Sequence, residues 1–220
     1  MGRPEENPAR RQAITQLGNG LCAADHHEDA LSVREAELAM ERRFGAPEQN
    51  ILAVQTNLSN SYQNLGRYEE ALQMDRDIYY GRVKLDGKEN SHTISAAVNY
   101  ADSLMEFERF TEVKSLLQEV IPMAQRVLGE TNITTLRLRW LYVVALYKDD
   151  SATLADVQEA VTTLETIANW WNRVLGPARD ETVSVQAALA SAREALRERE
   201  ASSGVATRTR SARARPSEEE

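Results

Sequence analysis

NLSNSYQNLGRYEEAL, from Asn57 to Leu72, reads as two helices joined by a tight reversal. Leu58, Tyr62 and Leu65 recur at spacings of four and three, which lines them along one side of a helix. Gly66 follows where that apolar face ends, and a residue without a Cβ takes up the helix-closing left-handed backbone at little steric cost. Tyr68, Ala71 and Leu72 open a second apolar face, which continues through Ile78 and Val83 to Leu85. Lys84 lies in the last turn of this second helix, where the free carbonyls carry partial negative charge. Gly87 lets the chain reverse once more, and Asn90 is placed to cap the helix that follows.

The unit repeats in both directions. Gly45, Gly87, Gly129 and Gly176 are spaced by 42, 42 and 47 residues, and a cation stands three residues before each: Arg42, Lys84, Arg126 and Arg173. Ala30, Ala71, Val113 and Ala160 keep step at intervals of 41, 42 and 47. The extra residues of the last interval fall in the polar stretch Lys148–Thr153, a loop insertion. The spacing predicts helix pairs over 9–44, 48–86, 90–128 and 132–175. A capping helix over 178–200 follows, with Val185, Leu189, Ala192 and Leu196 on its apolar side. Residues 1–8 and 201–220 carry no apolar periodicity and are expected to be disordered. The fold class expected is all-α: a right-handed α-solenoid of four helix-turn-helix repeats closed by that helix.

Composition agrees and narrows the function. Ten glycines and six prolines in 220 residues starve a β-rich fold of its turns. Against 34 acidic residues stand 26 basic ones, and a net charge of −8 speaks against phosphate-driven nucleic-acid binding. No apolar run is long enough to span a bilayer, so no membrane partner is expected. A lone cysteine, Cys22, forms no internal disulfide and suits a reducing, cytoplasmic setting.

The helix-turn-helix signature resembles the tetratricopeptide repeat, matched in order by Asn57-Leu58, Tyr62, Gly66, Tyr68 and Ala71. The longer period, the joints Phe44-Gly45, Leu128-Gly129 and Leu175-Gly176, and Thr93, Thr135 and Thr182 after them are similar to the kinesin-light-chain subtype, of about 42 residues per repeat against about 34 ordinarily. Two features depart from it: Asp75 stands where a large apolar residue is common, and one extra residue precedes Gly87. Sustained a/d heptads for pairing with a heavy chain are missing, so motor transport is not implied.

The resemblance implies that the first helix of each pair lines a concave groove. Its outward positions are Gln12, Gln16 and Asn19; Asn57, Asn60 and Asn64; Asn99, Asp102 and Glu106; and Arg137, Leu141 and Tyr147. Carboxamides both donate and accept hydrogen bonds, so such rows suit an extended peptide backbone whatever its side chains. The same residues also satisfy the plain demand of an amphipathic helix for a solvated stripe. At the positions where chaperone-tail clamps carry cations stand Thr15, Thr56 and Val98, which supply no charge. The expected function is therefore a non-enzymatic scaffold that binds a protein or peptide, with no cofactor.

The alternative is a metal-dependent enzyme or regulator built on Asp25-His26-His27-Glu28-Asp29, whose imidazoles and carboxylates are metal-binding groups. That cluster comes from one short segment, and His27 shares the register of Tyr68 and Phe110, a packing position between paired helices. No nucleophile–base pair and no phosphate-binding glycine motif accompanies it. The first repeat has no polar N-terminal cap, which leaves room for weak self-association through it. In the tail, Arg208, Arg210, Arg213 and Arg215 form a basic run beside Thr207, Thr209 and Ser211, suited to docking or phosphorylation. Bulk gathers in the fourth repeat at Trp140, Trp170 and Trp171, and Pro122 lies within a helix that it is expected to kink.

Overall fold

A computed structural model of the chain describes residues 8–213, and their side chains over 9–202. Among the described residues all regular elements are helices: α1 (Pro8–Ala23), α2 (His27–Phe44), α3 (Glu48–Asn64), α4 (Tyr68–Asp86), α5 (Ser91–Glu106), α6 (Phe110–Leu128), α7 (Ile133–Lys148), α8 (Leu154–Val174) and α9 (Asp180–Arg213). The chain is thus an all-α repeat fold. Within these residues no helix is long and apolar enough to cross a membrane.

Helix ends follow the local chemistry. Gly45, Gly87, Gly129 and Gly176 all take positive φ at the close of the second helices. After α3, the Gly66 N–H donates to the Gln63 carbonyl and the Arg67 N–H to the Tyr62 carbonyl, satisfying two carbonyls the helix leaves free. The Asn90 and Asn132 carboxamides accept from the His92 and Thr134 N–H groups and so start α5 and α7. The inserted loop ends in a capping box, Thr153 with Asp156, that opens α8. α6 runs unbroken through Pro122, whose ring is exposed.

Two compact units divide the chain: Met1–Arg109 with Leu116–Thr135, and Phe110–Ser115 with Leu136–Glu220. In the first, helices adjacent in sequence pack in order from α1 to α5. Leu31 and Leu38 of α2 meet Val54 and Leu58 of α3, flanked by Ile51, Tyr62, Leu65 and Met74. Ala71 is fully buried, as a close helix crossing demands, and its carbonyl accepts from the Ser59 hydroxyl. Tyr79 and Tyr100 stack at 6.0 Å between α4 and α5. Tyr68, expected to pack between paired helices, is instead largely exposed at the start of α4.

In the second unit α9 lies along α8. Val185 and Ala192 of α9, together with Leu164, Ile167 and Trp171 of α8, are closed off from solvent. Leu189 and Leu196 are only half-buried. Lys114 donates to Asp149 at 2.6 Å, and Ser151 donates to the same carboxylate, so the inserted loop is pinned. These partners hold the Asp149 carboxyl well below the usual carboxylate range. α9 does not stop near residue 200, where its apolar pattern ends; its backbone stays helical to Arg213. Residues 1–7 and 214–220 of the expected disordered termini lie outside the described residues, as do the side chains of Arg208, Arg210 and Arg213.

Candidate functional site

The first helices of the second and third pairs, α3 and α5, carry most of the expected site. Asn57, Asn60 and Asn64 follow helical spacing on α3, and Asn99, Asp102 and Glu106 do so on α5. Asn57 and Asn99 come together at a pocket of about 280 Å³, which Thr56 of α3 and His92 and Ser95 of α5 also line. Its remaining walls are Ile78 and Arg82 of α4, while the small side chains of Ala53 and Ala96 leave the space open. Arg82 is fixed there: it donates to Asp86 at 3.1 Å and to the Gln49 carbonyl at 3.2 Å. The pocket thus offers two half-buried carboxamides, two hydroxyls and an anchored guanidinium around an apolar floor. Such groups can hydrogen-bond an extended backbone and seat one small side chain.

The other expected residues are placed differently. Asn60 and Glu106 are exposed, and Asp102 is half-buried. The exposed Asn64 directs its amide towards the Cys22 sulfur at 3.7 Å. Gln12 and Gln16 are exposed on α1, while Asn19 accepts from Arg34 at 3.0 Å. Arg137, in the second unit, is exposed. Tyr147 is a correction: it is 6% exposed, its phenol hydrogen-bonded with Ser191 of α9, so it belongs to the core of the second unit and not to a binding surface. Leu141 is buried for the same reason. α7 is apolar nearly all round and has little polar face to offer.

Arg82, which the sequence reading passed over, is a pocket residue. It had a signal: the equivalent positions are Glu41, Ala124 and Trp171, so a cation stands where later repeats place core residues. The histidine cluster does not converge. His26 faces Asp29 and His27 faces Asp25, each at 3.7 Å, and no group of three metal-binding side chains is gathered among the described residues.

Behind the asparagine row, Asp75 of α4 is only 1% exposed. The Ser103 hydroxyl donates to it at 2.6 Å and the Gln63 amide at 3.2 Å, both to the same oxygen, and the Ser59 hydroxyl also supports the carboxyl. Burial pushes its carboxyl up, and these donors, Ser103 foremost, only partly pull it back. Between its unfolded and folded values the folded chain binds the extra proton, so stability falls as pH rises through that window and stays reduced above it. Asp75→Asn should therefore melt above the wild type at neutral pH, with the gap narrowing as pH falls through the raised folded value and closed below about 4. Melting curves across pH check this, and a constant gap would remove Asp75 as the titrating group.

Residues 51–87 match the tetratricopeptide repeat family model. No curated protein matches the sequence. A kinesin-light-chain-type protein of Podosopora anserina with nearly identical tetratricopeptide-like repeats superposes at TM-score 0.68, with 20% identity over 98% of this chain and 100% of that one. A single-substitution variant of it gives 0.71, at 20% identity over 94% and 96%. BtubC from P. vanneervenii gives 0.69, at 16% identity over 97% of this chain and 87% of its own. At such identities the likeness speaks for the fold. The chain carries a tetratricopeptide repeat over residues 51–87 and has the all-helical repeat fold of kinesin-light-chain-like arrays.

Proposed function

We propose that the chain is a non-enzymatic interaction scaffold that binds an extended peptide or partner segment along α3 and α5. One observation carries the reading: Asn57 and Asn99, equivalent in register, meet at one pocket. A repeated carboxamide at repeated spacing can follow a peptide backbone, which is itself a repeated donor and acceptor. The tetratricopeptide match and the kinesin-light-chain-like neighbours support a protein partner. A single thiol fits the reducing cytoplasm, where we place it.

The test is a random peptide display pool selected on the full chain, with the tightest peptide then titrated against wild type and Asn57→Ala/Asn99→Ala. Two lost carboxamide contacts at about 0.5–1.5 kcal/mol each predict binding weaker by roughly 5- to 150-fold. Circular dichroism should show both proteins equally folded. Equal affinity, or no peptide selected by the wild type, would remove the site from α3 and α5.

A further inference from the structure

Within each compact unit the second helix of one repeat packs against the first helix of the next, and one register recurs at that junction. On the second helices it holds Arg34, Asp75 and Leu164; on the first helices it holds Ser61, Ser103 and Ala192. All six are buried. Arg34, 5% exposed on α2, donates across the junction to the Ser61 hydroxyl at 2.5 Å and to the Asn57 carbonyl at 2.6 Å, both on α3. Asp75 on α4 accepts across the next junction from Ser103 of α5. Both of these junctions lie in the first compact unit. In the second unit, α8 and α9 bring Leu164 and Ala192 to the same register, both apolar and both fully buried.

We propose that this register is a pairing key, which makes each second helix accept its own class of first helix and reject the other. The repeats share one register, so spacing alone does not distinguish a helix of one copy from its counterpart in another. Chemistry does. Arg34 or Asp75 set against an alanine-bearing first helix would lose its hydroxyl partner across the junction and keep only the carboxamide of its own repeat, Asn19 or Gln63, which leaves a buried charge under-satisfied. Leu164 set against Ser61 or Ser103 would bury a hydroxyl with no polar partner across the junction. On α1, Gly20 occupies the register of Ser61 and is exposed, beside an exposed Leu17. At that register α1 thus offers no hydroxyl for a second copy's α2 or α4 to engage.

Conversion of the polar keys to the apolar type tests this in the full chain: Arg34→Leu/Ser61→Ala, Asp75→Leu/Ser103→Ala, and all four together. Apolar pairs of similar volume replace buried charges at little or no loss of stability, so each variant should melt no lower than wild type. After refolding from denaturant at one fixed protein concentration, light scattering coupled to gel filtration should find severalfold more dimer and higher oligomer in the four-site variant than in wild type. A monomer yield equal to wild type would overturn the proposal. So would a lower melting point or failure to fold in the four-site variant, since the polar groups would then be supports of the fold and not discriminators.

Discussion

Truncation after Gly176 is expected to cost the protein several kcal/mol and its solubility. α9 contributes Val185 and Ala192 to the second unit's interior, and Thr182 is closed off beside them. The hydroxyl of Ser191 also satisfies the Tyr147 phenol. Each fully buried side chain of Val or Leu size is worth roughly 1.5–3 kcal/mol, and removal of the helix uncovers both sides of the contact. The side of α8 that α9 covers would face water, an apolar patch of the kind that drives association. Tryptophan emission should move to the red and the unfolding transition should broaden. The counterpart is a cut after Ser202. α9 is tied to the loop before α8 as far along as Arg199, which donates to the Ala152 carbonyl, whereas Ala201 and Ser202 are exposed. That shorter truncation should change neither emission nor melting. If the Gly176 cut were equally silent, α9 would not be a lid on the repeats but a helix available to a partner.

What the sequence disclosed, and what it hid, follows from how each residue is paid back by its surroundings. Glycines at the ends of the second helices were legible because a left-handed backbone selects that residue. The reversal inside each of the first three pairs has the same geometry, with positive φ at Asp25, Gly66 and Glu108, but only Gly66 advertises it. At the other two the hydrogen bonds of the helix end impose the conformation, His26 N–H to the Leu21 carbonyl and Arg109 N–H to the Leu104 carbonyl. Buried polar residues were harder still. Glu37 and Glu41 sit in the interior of the first pair, where Thr15 donates to one at 2.5 Å and Arg11 to the other at 2.7 Å. Hydropathy places such residues outside, because their partners are far away in sequence. Tyr147 failed in the opposite direction: where apolar residues crowd one stretch of a helix, as from Leu141 to Tyr147, spacing cannot say which face is free. The continuation of α9 past residue 200 was hidden because residues 201–213 have no apolar pattern and include Gly204 and several Ser and Thr, which are weak helix formers. The asparagine row was legible as a pattern, but the pocket at Asn57 and Asn99 was not, because it depends on the small residues Ala53 and Ala96 and on Arg82 from a third helix.

Trp171→Ala is expected to destabilise the protein by about 3–5 kcal/mol, and Trp170→Ala by well under half of that. Adjacent helical residues point about 100° apart, so one wall of α8 receives one ring and the next wall the other. Trp171 is the inward one: it is 1% exposed, and its ring meets that of Trp140 at 6.4 Å and 58°, a tilted contact. Trp170 is half-buried, so its truncation uncovers less apolar surface and leaves no closed cavity. The Trp171 indole N–H has no partner in its buried site, so Trp171→Phe sheds an unpaired donor while keeping most of the ring. That variant should recover much of what alanine loses, because the cost resides in volume and not in a hydrogen bond. Denaturant midpoints at constant slope measure all three. Loss of Trp171 should also remove the bluest part of the emission, since a shielded indole emits there and Trp170 does not replace it. If Trp170→Ala proved the more costly, α8 would have to be rotated by one residue, and the packing of Leu164 and Ile167 against α9 would rotate with it.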